Sequence, residues 1–256
     1  MLVLIGLGLH SEEDITVKGL EEAMDCDMLF AEFYTSTMTG LDFEHLQELV
    51  EKEITVLERS GLEEKSKELL LLAKTKKVGL LVPGDPLIST THIHLRIEAK
   101  QMGIETRVIH NASIHSAGPS ISGLQNYKFG RSATVSIPQE GFAPETPYDV
   151  IKENRERGLH TLLFLDIKVE GDSRVQMTAN EAMKTLLVME EKRKEGVFVS
   201  DTLCVVLGNV GSDEVVMKSG TAGELAEMDF GPTPHSLIVP GELHFVEEDY
   251  LKEFGK

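Results

Sequence analysis

Short apolar runs alternate with amphipathic segments along residues 1–110. Each apolar run has the length of a strand, and runs without polar interruption are typical of strands buried on both faces of a sheet. The apolar runs occupy residues 2–8, 28–31 and 78–82, and further strands are predicted at 54–57 and 106–109. The amphipathic segments occupy residues 14–24, 43–53, 63–74 and 90–101. Strands that alternate with helices predict a mostly parallel sheet with right-handed crossovers.

The pattern changes near residue 111. Residues 111–130 are rich in Ser, Gly and Asn, which indicates a linker with a short helix. Further strands are predicted near residues 132–137, 161–165, 203–207, 215–218 and 236–239, and helices near 148–157 and 179–194. A Gly-rich turn between 203–207 and 215–218 predicts a hairpin there, so the second half should contain antiparallel pairs. The chain is therefore expected to form two α/β domains, residues 1–112 with a mostly parallel sheet and residues 113–256 with a mixed sheet.

Composition narrows the possible partners and compartments. The net charge of -18 repels phosphate backbones, which disfavours a nucleic-acid binder and favours a cationic partner, although a plain acidic surface would look the same. Cys26 and Cys204 both lie in apolar runs, which indicates buried thiols in a reducing compartment. No apolar stretch approaches the roughly 20 residues of a membrane helix. We expect a cytoplasmic protein without a metal site and without nucleic-acid or membrane partners.

The loop after the first strand imitates a dinucleotide-binding fingerprint. Gly6 and Gly8 match the first two glycines of G-x-G-x-x-G, and Glu32 ends the second strand where such folds place a ribose-binding acid. Ser11 replaces the third glycine, and the carboxylates at 12–14 would oppose a phosphate at a helix N-terminus. A nucleotide-binding oxidoreductase or sensor is therefore one alternative function. The glycines could equally serve only to reverse the chain.

A second loop follows the apolar run at 78–82. It reads Pro83-Gly84-Asp85-Pro86, so prolines stiffen a turn in which Gly84 allows close backbone approach. Asp85 then lies at the carboxyl end of a strand, where open α/β sheets bind ligands. The alternative is a rigid turn in which Asp85 caps the helix that follows.

These two loops belong to a longer set of motifs. The motifs are I-G-L-G-L at 5–9, D-I-T-V-K-G-L at 14–20, F-A-E-F-Y-T-S at 30–36, P-G-D-P-L at 83–87, T-T-H at 90–92, S-I-H-S-A at 113–117, G-L-H-T-L-L-F-L-D-I-K at 158–168, M-T-A-N-E-A-M at 177–183 and P-H-S-L-I-V-P-G at 234–241. In this order, and nearly from end to end, the chain resembles the tetrapyrrole methylase-like class of S-adenosylmethionine-dependent methyltransferases. Within that class it is most similar to the branch that acts in diphthamide biosynthesis.

The resemblance implies a specific activity. It implies two α/β domains with S-adenosylmethionine in the cleft between them, a homodimer, and repeated methylation of the amino group of a modified histidine on translation elongation factor 2. A methylase acting on a tetrapyrrole precursor is a further alternative within the same class. Such precursors are highly anionic, and a chain with a net charge of -18 is a poor host for them.

The resemblance also implies cofactor-binding residues. They are Leu9, Asp85, Ile88, Ser113, Ile114, Leu165, Leu207 and His235. At one of them the chain departs from the usual pattern of the class, which commonly has Ala-Arg after the strand containing Leu207, whereas this chain has Gly208-Asn209.

Methyl transfer from a sulfonium is a direct displacement, so the protein mainly positions and desolvates the reactants. The incoming amine must be neutral, and a base could help. Asp166 and His115 are candidates for that base, although Asp166 could instead cap a turn and His115 could be structural. His92 and His94 are predicted on different faces of a helix and therefore cannot form a two-histidine metal site.

Overall fold

The computed structural model describes residues 1–63, 66–139, 143–170 and 173–256. The chain divides into two compact units, Met1–Ile114 and His115–Lys256. The sequence prediction places the boundary between residues 112 and 113. Within the described ranges, no helix has both the length and the apolar character needed to cross a membrane.

The first unit contains a five-stranded parallel sheet. Its strands are β1 (Leu2–Gly6), β2 (Met28–Glu32), β3 (Ile54–Leu57), β4 (Val78–Val82) and β5 (Thr106–Ile109), in the order β3-β2-β4-β1-β5. All five predicted strands are therefore confirmed. The first is shorter than the apolar run because Gly8 leaves the parallel ladder and forms an antiparallel bridge with Gly84.

Helices flank this sheet. They are α1 (Val17–Met24), α2 (Phe43–Leu49), α3 (Arg59–Glu63), α4 (Ser66–Ala73) and α5 (Ile93–Gln101), with a 3-10 helix at Glu12–Asp14. The helix predicted over 63–74 includes residues 64 and 65, which lie outside the described residues. Thr16 caps α1 by accepting a hydrogen bond from the Gly19 N–H at 2.9 Å.

The central strands of the first unit have apolar side chains on both faces. Leu4 of β1 packs in one buried cluster with Leu70 of α4 and Leu95 of α5. Ile5, the next residue, packs in another cluster with Ala23 of α1 and Leu46 of α2. Because alternate residues of a strand point to opposite faces, a strand covered on both sides reads as one continuous apolar run.

The second unit contains a mixed five-stranded sheet. Its strands are β6 (Ala133–Val135), β7 (Thr161–Leu165), β10 (Leu203–Gly208), β11 (Val216–Thr221) and β12 (His235–Val239), in the order β11-β10-β12-β7-β6. Only β6 and β7 are parallel, and the other neighbouring pairs are antiparallel. The predicted hairpin of β10 and β11 and the predicted mixed sheet are confirmed.

The described part of the second unit also contains elements that were not predicted. They include the hairpin of β8 (Ile167–Glu170) and β9 (Ser173–Gln176), a 3-10 helix at Asn126–Lys128, the short helix α9 (Ala222–Leu225) and the last helix α10 (Phe245–Phe254). The predicted helices occur as α6 (Ile114–Ser122), α7 (Thr146–Arg155) and α8 (Ala179–Arg193). Helix α10 was missed because Phe245 and Phe254 are exposed at 67% and 64%, so its apolar residues do not mark the buried face.

Candidate functional site

The glycine loop and the G-D-P turn touch at the carboxyl edge of the parallel sheet. Gly8 and Gly84 form the antiparallel bridge, in which the Gly84 N–H donates to the Gly8 carbonyl at 2.6 Å. Their φ angles are 94° and 69°, in the left-handed region that favours glycine. The two loops are thus joined backbone to backbone, which requires glycine at both positions.

Gly6 has no room for a side chain. A Cβ added there would lie 2.5 Å from the Gly84 carbonyl oxygen and 2.8 Å from Cβ of Asn111. The Asn111 side-chain amide in turn donates to the Gly6 carbonyl at 3.0 Å and to the Asp14 carbonyl at 2.9 Å. The glycines of this loop are therefore required by contacts within the protein, and no dinucleotide is needed to explain them.

Asp14 supplies an anion to the loop. Its Oδ2 accepts hydrogen bonds from three successive backbone N–H groups, of Leu9 at 3.1 Å, His10 at 2.6 Å and Ser11 at 3.3 Å. Successive N–H groups that converge in this way form a concavity that binds anions such as phosphate. Here the carboxylate of the protein already occupies the concavity, so a pyrophosphate would have to displace it.

Glu12 does not face a ligand as the sequence suggested. Its carboxylate is buried and accepts hydrogen bonds from the Asp42 N–H at 2.9 Å and from the His45 ring at 2.7 Å. Burial alone would raise the pKa of Glu12, but these hydrogen bonds outweigh it and the pKa is lowered below 4.5. The same bond to Glu12 raises the pKa of His45 above 6.5.

Glu32, the candidate ribose-binding acid of the dinucleotide interpretation, is fully buried. It accepts hydrogen bonds from the Tyr34 N–H at 3.1 Å, from the Thr35 N–H at 3.1 Å and from the Thr35 hydroxyl at 2.5 Å. Both acidic features of the fingerprint, the loop and the strand end, are therefore engaged inside the protein.

Asp85 is buried and holds the G-D-P turn together. One carboxylate oxygen accepts the Leu87 N–H at 3.0 Å, and the other lies 2.8 Å from Nδ1 of His110. The interpretation of Asp85 as a helix cap is wrong, because α5 begins only at Ile93. Asp85 instead links the turn to the end of β5.

The predicted residues of the first unit surround these loops. Leu9 follows the Gly8 bridge and is half-buried, whereas Ile88 is 42% exposed three residues after Asp85. Ser113 is buried and lies beside Gly84, since a Cβ on that glycine would be 3.6 Å from Cβ of Ser113. Ile114, half-buried, is the next residue and begins α6. Leu9, Asp85, Ile88 and Ser113 therefore belong to one connected edge of the sheet.

The predicted residues of the second unit lie at one end of its sheet. Leu165 is the last residue of β7, Leu207 is near the end of β10, and His235 is the first residue of β12. Since β12 runs antiparallel to both neighbours, these positions are at the same edge. The expectation that a cofactor lies in a cleft between the two domains stays a prediction.

Both ring nitrogens of His235 are engaged within the unit. Nδ1 accepts the Ala179 N–H at the start of α8, at 3.3 Å, and Nε2 lies 3.2 Å from the Gly231 carbonyl. Burial lowers the pKa of His235 below 6.5, which keeps the ring neutral near pH 7. The adjacent Gly208 leaves room for the ring, because a Cβ there would lie 3.3 Å from Cδ2 of His235.

The two candidate bases have different surroundings. The Asp166 carboxylate accepts the Ile137 N–H at 3.0 Å, so it anchors the segment after β6 as a turn-capping residue would. The ring of His115 is exposed on one side and rests against Phe164, with centroids 5.1 Å apart. The partial burial of the ring lowers the pKa of His115 below 6.5. His115 is therefore the candidate that is neutral and accessible.

His92 is a residue that the sequence analysis undervalued. It was placed on a helix beside His94, but it is the residue before α5 and is only 1% exposed, whereas His94 lies inside the helix and is exposed. The T-T-H motif at 90–92 was the signal that could have singled it out.

Comparisons with known proteins place the chain in one family. The family model described as Tetrapyrrole (Corrin/Porphyrin) Methylases matches residues 1–226. The diphthine synthase of Methanocaldococcus jannaschii is 46% identical over 252 residues, which cover 98% of each chain. The diphthine synthase of Methanocella arvoryzae is 47% identical over 256 residues, which cover 100% of this chain and 98% of the relative.

A comparison with solved structures leads to the same family as these relatives. A crystal structure of a diphthine synthase superposes on this chain with a TM-score of 0.89 at 41% identity, covering 99% of this chain and 95% of the other. The similarity therefore includes both units and the loops at their sheet edges.

Proposed function

Because this chain belongs to the tetrapyrrole methylase family, and within it to the diphthine synthases, we propose that it methylates the amino group of a modified histidine on translation elongation factor 2. The chain is an S-adenosylmethionine-dependent methyltransferase of diphthamide biosynthesis. The resemblance stated from the sequence motifs is thus confirmed. A homodimer, which that resemblance implies, and a cytoplasmic location are part of the proposal.

The observation that carries the proposed cofactor is the Asp14 carboxylate in the glycine loop. S-adenosylmethionine has a cationic sulfonium and no phosphate, so it does not need the three N–H groups that Asp14 already occupies. Leu9 and the exposed Ile88 offer apolar surface to the adenine ring at the same edge. The residues present therefore fit this cofactor better than a dinucleotide.

The bound cofactor supplies an activated methyl group, and the protein needs to position it and to exclude water. Leu9, Asp85, Ile88, Ser113 and Ile114 are proposed to hold the cofactor from the first unit. The proposed contacts from the second unit are Leu165, Leu207 and His235. His115, whose lowered pKa leaves its ring neutral, is the proposed acceptor of the proton that the amine releases.

We expect S-adenosylmethionine and S-adenosylhomocysteine to raise the melting temperature of the purified protein, and NAD to leave it unchanged. A ligand at one hundred times its Kd adds about 2.7 kcal/mol to the free energy of unfolding, which thermal denaturation detects easily. Stabilisation by NAD alone would contradict the proposed use of S-adenosylmethionine. It would favour the interpretation of Gly6 and Gly8 as part of a nucleotide-binding oxidoreductase or sensor.

We expect elongation factor 2 that carries the unmethylated modified histidine to accept labelled methyl groups from S-adenosylmethionine. The matched control is the same factor with that histidine replaced, which should accept none. A chain with a net charge of -18 favours a protein substrate with a basic surface, so transfer should weaken as salt increases. Equal labelling of the control, or labelling of a tetrapyrrole precursor instead, would contradict the proposed acceptor.

A further inference from the structure

The segment 83–92 carries cofactor-binding candidates but lacks regular structure. It connects the end of β4 at Val82 to the start of α5 at Ile93, and beyond the Gly8–Gly84 bridge it belongs to no strand or helix. Ser89 in its middle has a φ of 57°, a conformation that non-glycine residues adopt only when their surroundings impose it. Something other than local preference must therefore hold this segment in shape.

Two side chains of the T-T-H motif hold one carbonyl of the segment. The Pro86 carbonyl accepts hydrogen bonds from the Thr90 hydroxyl at 3.3 Å and from Nδ1 of His92 at 3.2 Å. The Thr90 hydroxyl also accepts the His92 N–H at 3.2 Å. Pro86 immediately follows Asp85, so these bonds close the segment into a loop whose start and end are tied together.

The other side of the His92 ring faces Glu32 inside the protein. Nε2 of His92 lies 3.6 Å from Oε1 of Glu32, and the exposed fractions of the two side chains are 1% and 0%. Glu32 is itself fixed at the end of β2 by its hydrogen bonds from Tyr34 and Thr35. The Tyr34 ring contacts the His92 ring edge-on, with centroids 6.5 Å apart. The ring is thus held between the end of β2 and the G-D-P turn.

We propose that His92 is a positioning residue for cofactor binding, because its Nδ1–H fixes the Pro86 carbonyl and thereby the turn that carries Asp85 and Ile88. A carbonyl accepts only from a protonated nitrogen, so Nδ1 must carry a hydrogen. The inference rests on the proposed use of S-adenosylmethionine, and it gives this buried histidine a role in cofactor binding.

Two substitutions of His92 distinguish the contact made by Nδ1 from the contact made by Nε2. Asparagine places an amide N–H near the position of Nδ1, so His92→Asn can keep the bond to the Pro86 carbonyl and lose the contact with Glu32. Glutamine reaches the position of Nε2, so His92→Gln can keep the contact with Glu32 and lose the bond to Pro86. His94→Asn is the matched control, because His94 lies two residues away on the exposed surface of α5.

We expect the Kd for S-adenosylhomocysteine, measured by calorimetry, to rise about tenfold in His92→Gln and to stay within about threefold of the unsubstituted protein in His92→Asn. His94→Asn should bind with unchanged affinity. In kinetic assays the KM for S-adenosylmethionine should rise in His92→Gln more than kcat falls. Equal weakening in the two His92 variants, or binding by His92→Gln as tight as that of the unsubstituted protein, would overturn the proposal.

Hydrogen exchange gives a readout without any cofactor. The Leu87 and Ile88 amides are bonded to Asp85 within the turn, so their exchange should accelerate in His92→Gln and not in His92→Asn. Unchanged exchange at these two amides in His92→Gln would contradict the positioning role. Absence of S-adenosylhomocysteine binding by the unsubstituted protein would instead contradict the proposed cofactor, so the two failures are distinguishable.

Discussion

Replacement of Gly6 by alanine is expected to lower the free energy of unfolding of the first unit by about 3 kcal/mol and to abolish cofactor binding. The added Cβ would lie 2.5 Å from the Gly84 carbonyl oxygen and 2.8 Å from Cβ of Asn111. A backbone atom cannot move aside as a flexible side chain can. The substitution must therefore push apart the glycine loop and the G-D-P turn, the two loops that the proposed cofactor site needs in contact.

Gly103→Ala is the matched control in the same unit. Gly103 has a φ of 71°, but a Cβ there would meet no described atom within 4 Å. Its cost is therefore that of left-handed backbone alone, about 1 kcal/mol, with unchanged affinity for S-adenosylhomocysteine. Urea unfolding and calorimetric titration of the two variants check this order. A Gly6→Ala protein that binds the cofactor as tightly as Gly103→Ala would show that the contact between the two loops is unnecessary.

The sequence predicted the strands better than the ends of the helices. The bounds of β3, β4, β5 and β7 agree with the predicted ranges. In β4 all five residues are buried, which leaves a continuous apolar signal in the sequence. The helix predicted from Thr90 begins at Ile93, because Thr90 and His92 are bonded to the Pro86 carbonyl instead of to a helical turn. Side-chain hydrogen bonds of this kind cannot be recognised from hydrophobic periodicity.

The candidate site was also predicted in part. Parallel topology places the ends of β1 and β4 side by side, so the meeting of the glycine loop with the G-D-P turn follows from the strand pattern. The hydrogen-bond donors to each carboxylate do not follow from the strand pattern. Asp14, Glu12 and Glu32 all lie near the edge, yet each accepts hydrogen bonds from different parts of the protein. The donors to Asp14 and Glu32 lie within five residues of them, whereas the donors to Glu12 lie 30 and 33 residues away.

The hydrogen-bond partners of a buried carboxylate in the last helix could not be predicted from the sequence either. Glu247 of α10 is fully buried and accepts hydrogen bonds from four donors. These are the Gln125 N–H at 2.8 Å, the Lys128 ammonium at 2.6 Å, Nε2 of His160 at 3.1 Å and the His244 N–H at 2.7 Å. One side chain thus ties α10 to the segment after α6 and to the start of β7.

Glu247→Gln is therefore expected to destabilise the second unit by about 3–5 kcal/mol, because an amide accepts on one side only and turns its own N–H groups toward buried donors. Glu248→Gln is the matched control, since Glu248 is the next residue of α10 and its side chain is 50% exposed. Its cost should stay within about 0.5 kcal/mol. Urea unfolding at pH 7 measures both, and equal stability of the two variants would mean that the four hydrogen bonds contribute nothing net.

The same carboxylate should make the second unit sensitive to acid. Burial opposes ionisation of Glu247, but the hydrogen bonds outweigh it and lower its pKa from 4.5 to about 2. Its contribution, about 3 kcal/mol, is complete above pH 4.5 and is lost as the pH falls from 4.5 toward 2. Burial lowers the pKa of His160 below 6.5, so the unfolded chain binds this proton first and stability already declines below pH 6.5. Unfolding followed from pH 8 to pH 3 should therefore show a loss of stability below pH 6.5 and a further loss below pH 4.5. Glu190, whose pKa is also lowered to about 2, contributes to the second loss, so Glu247→Gln should make it smaller without removing it. A pH profile identical in the variant would contradict the contribution of Glu247.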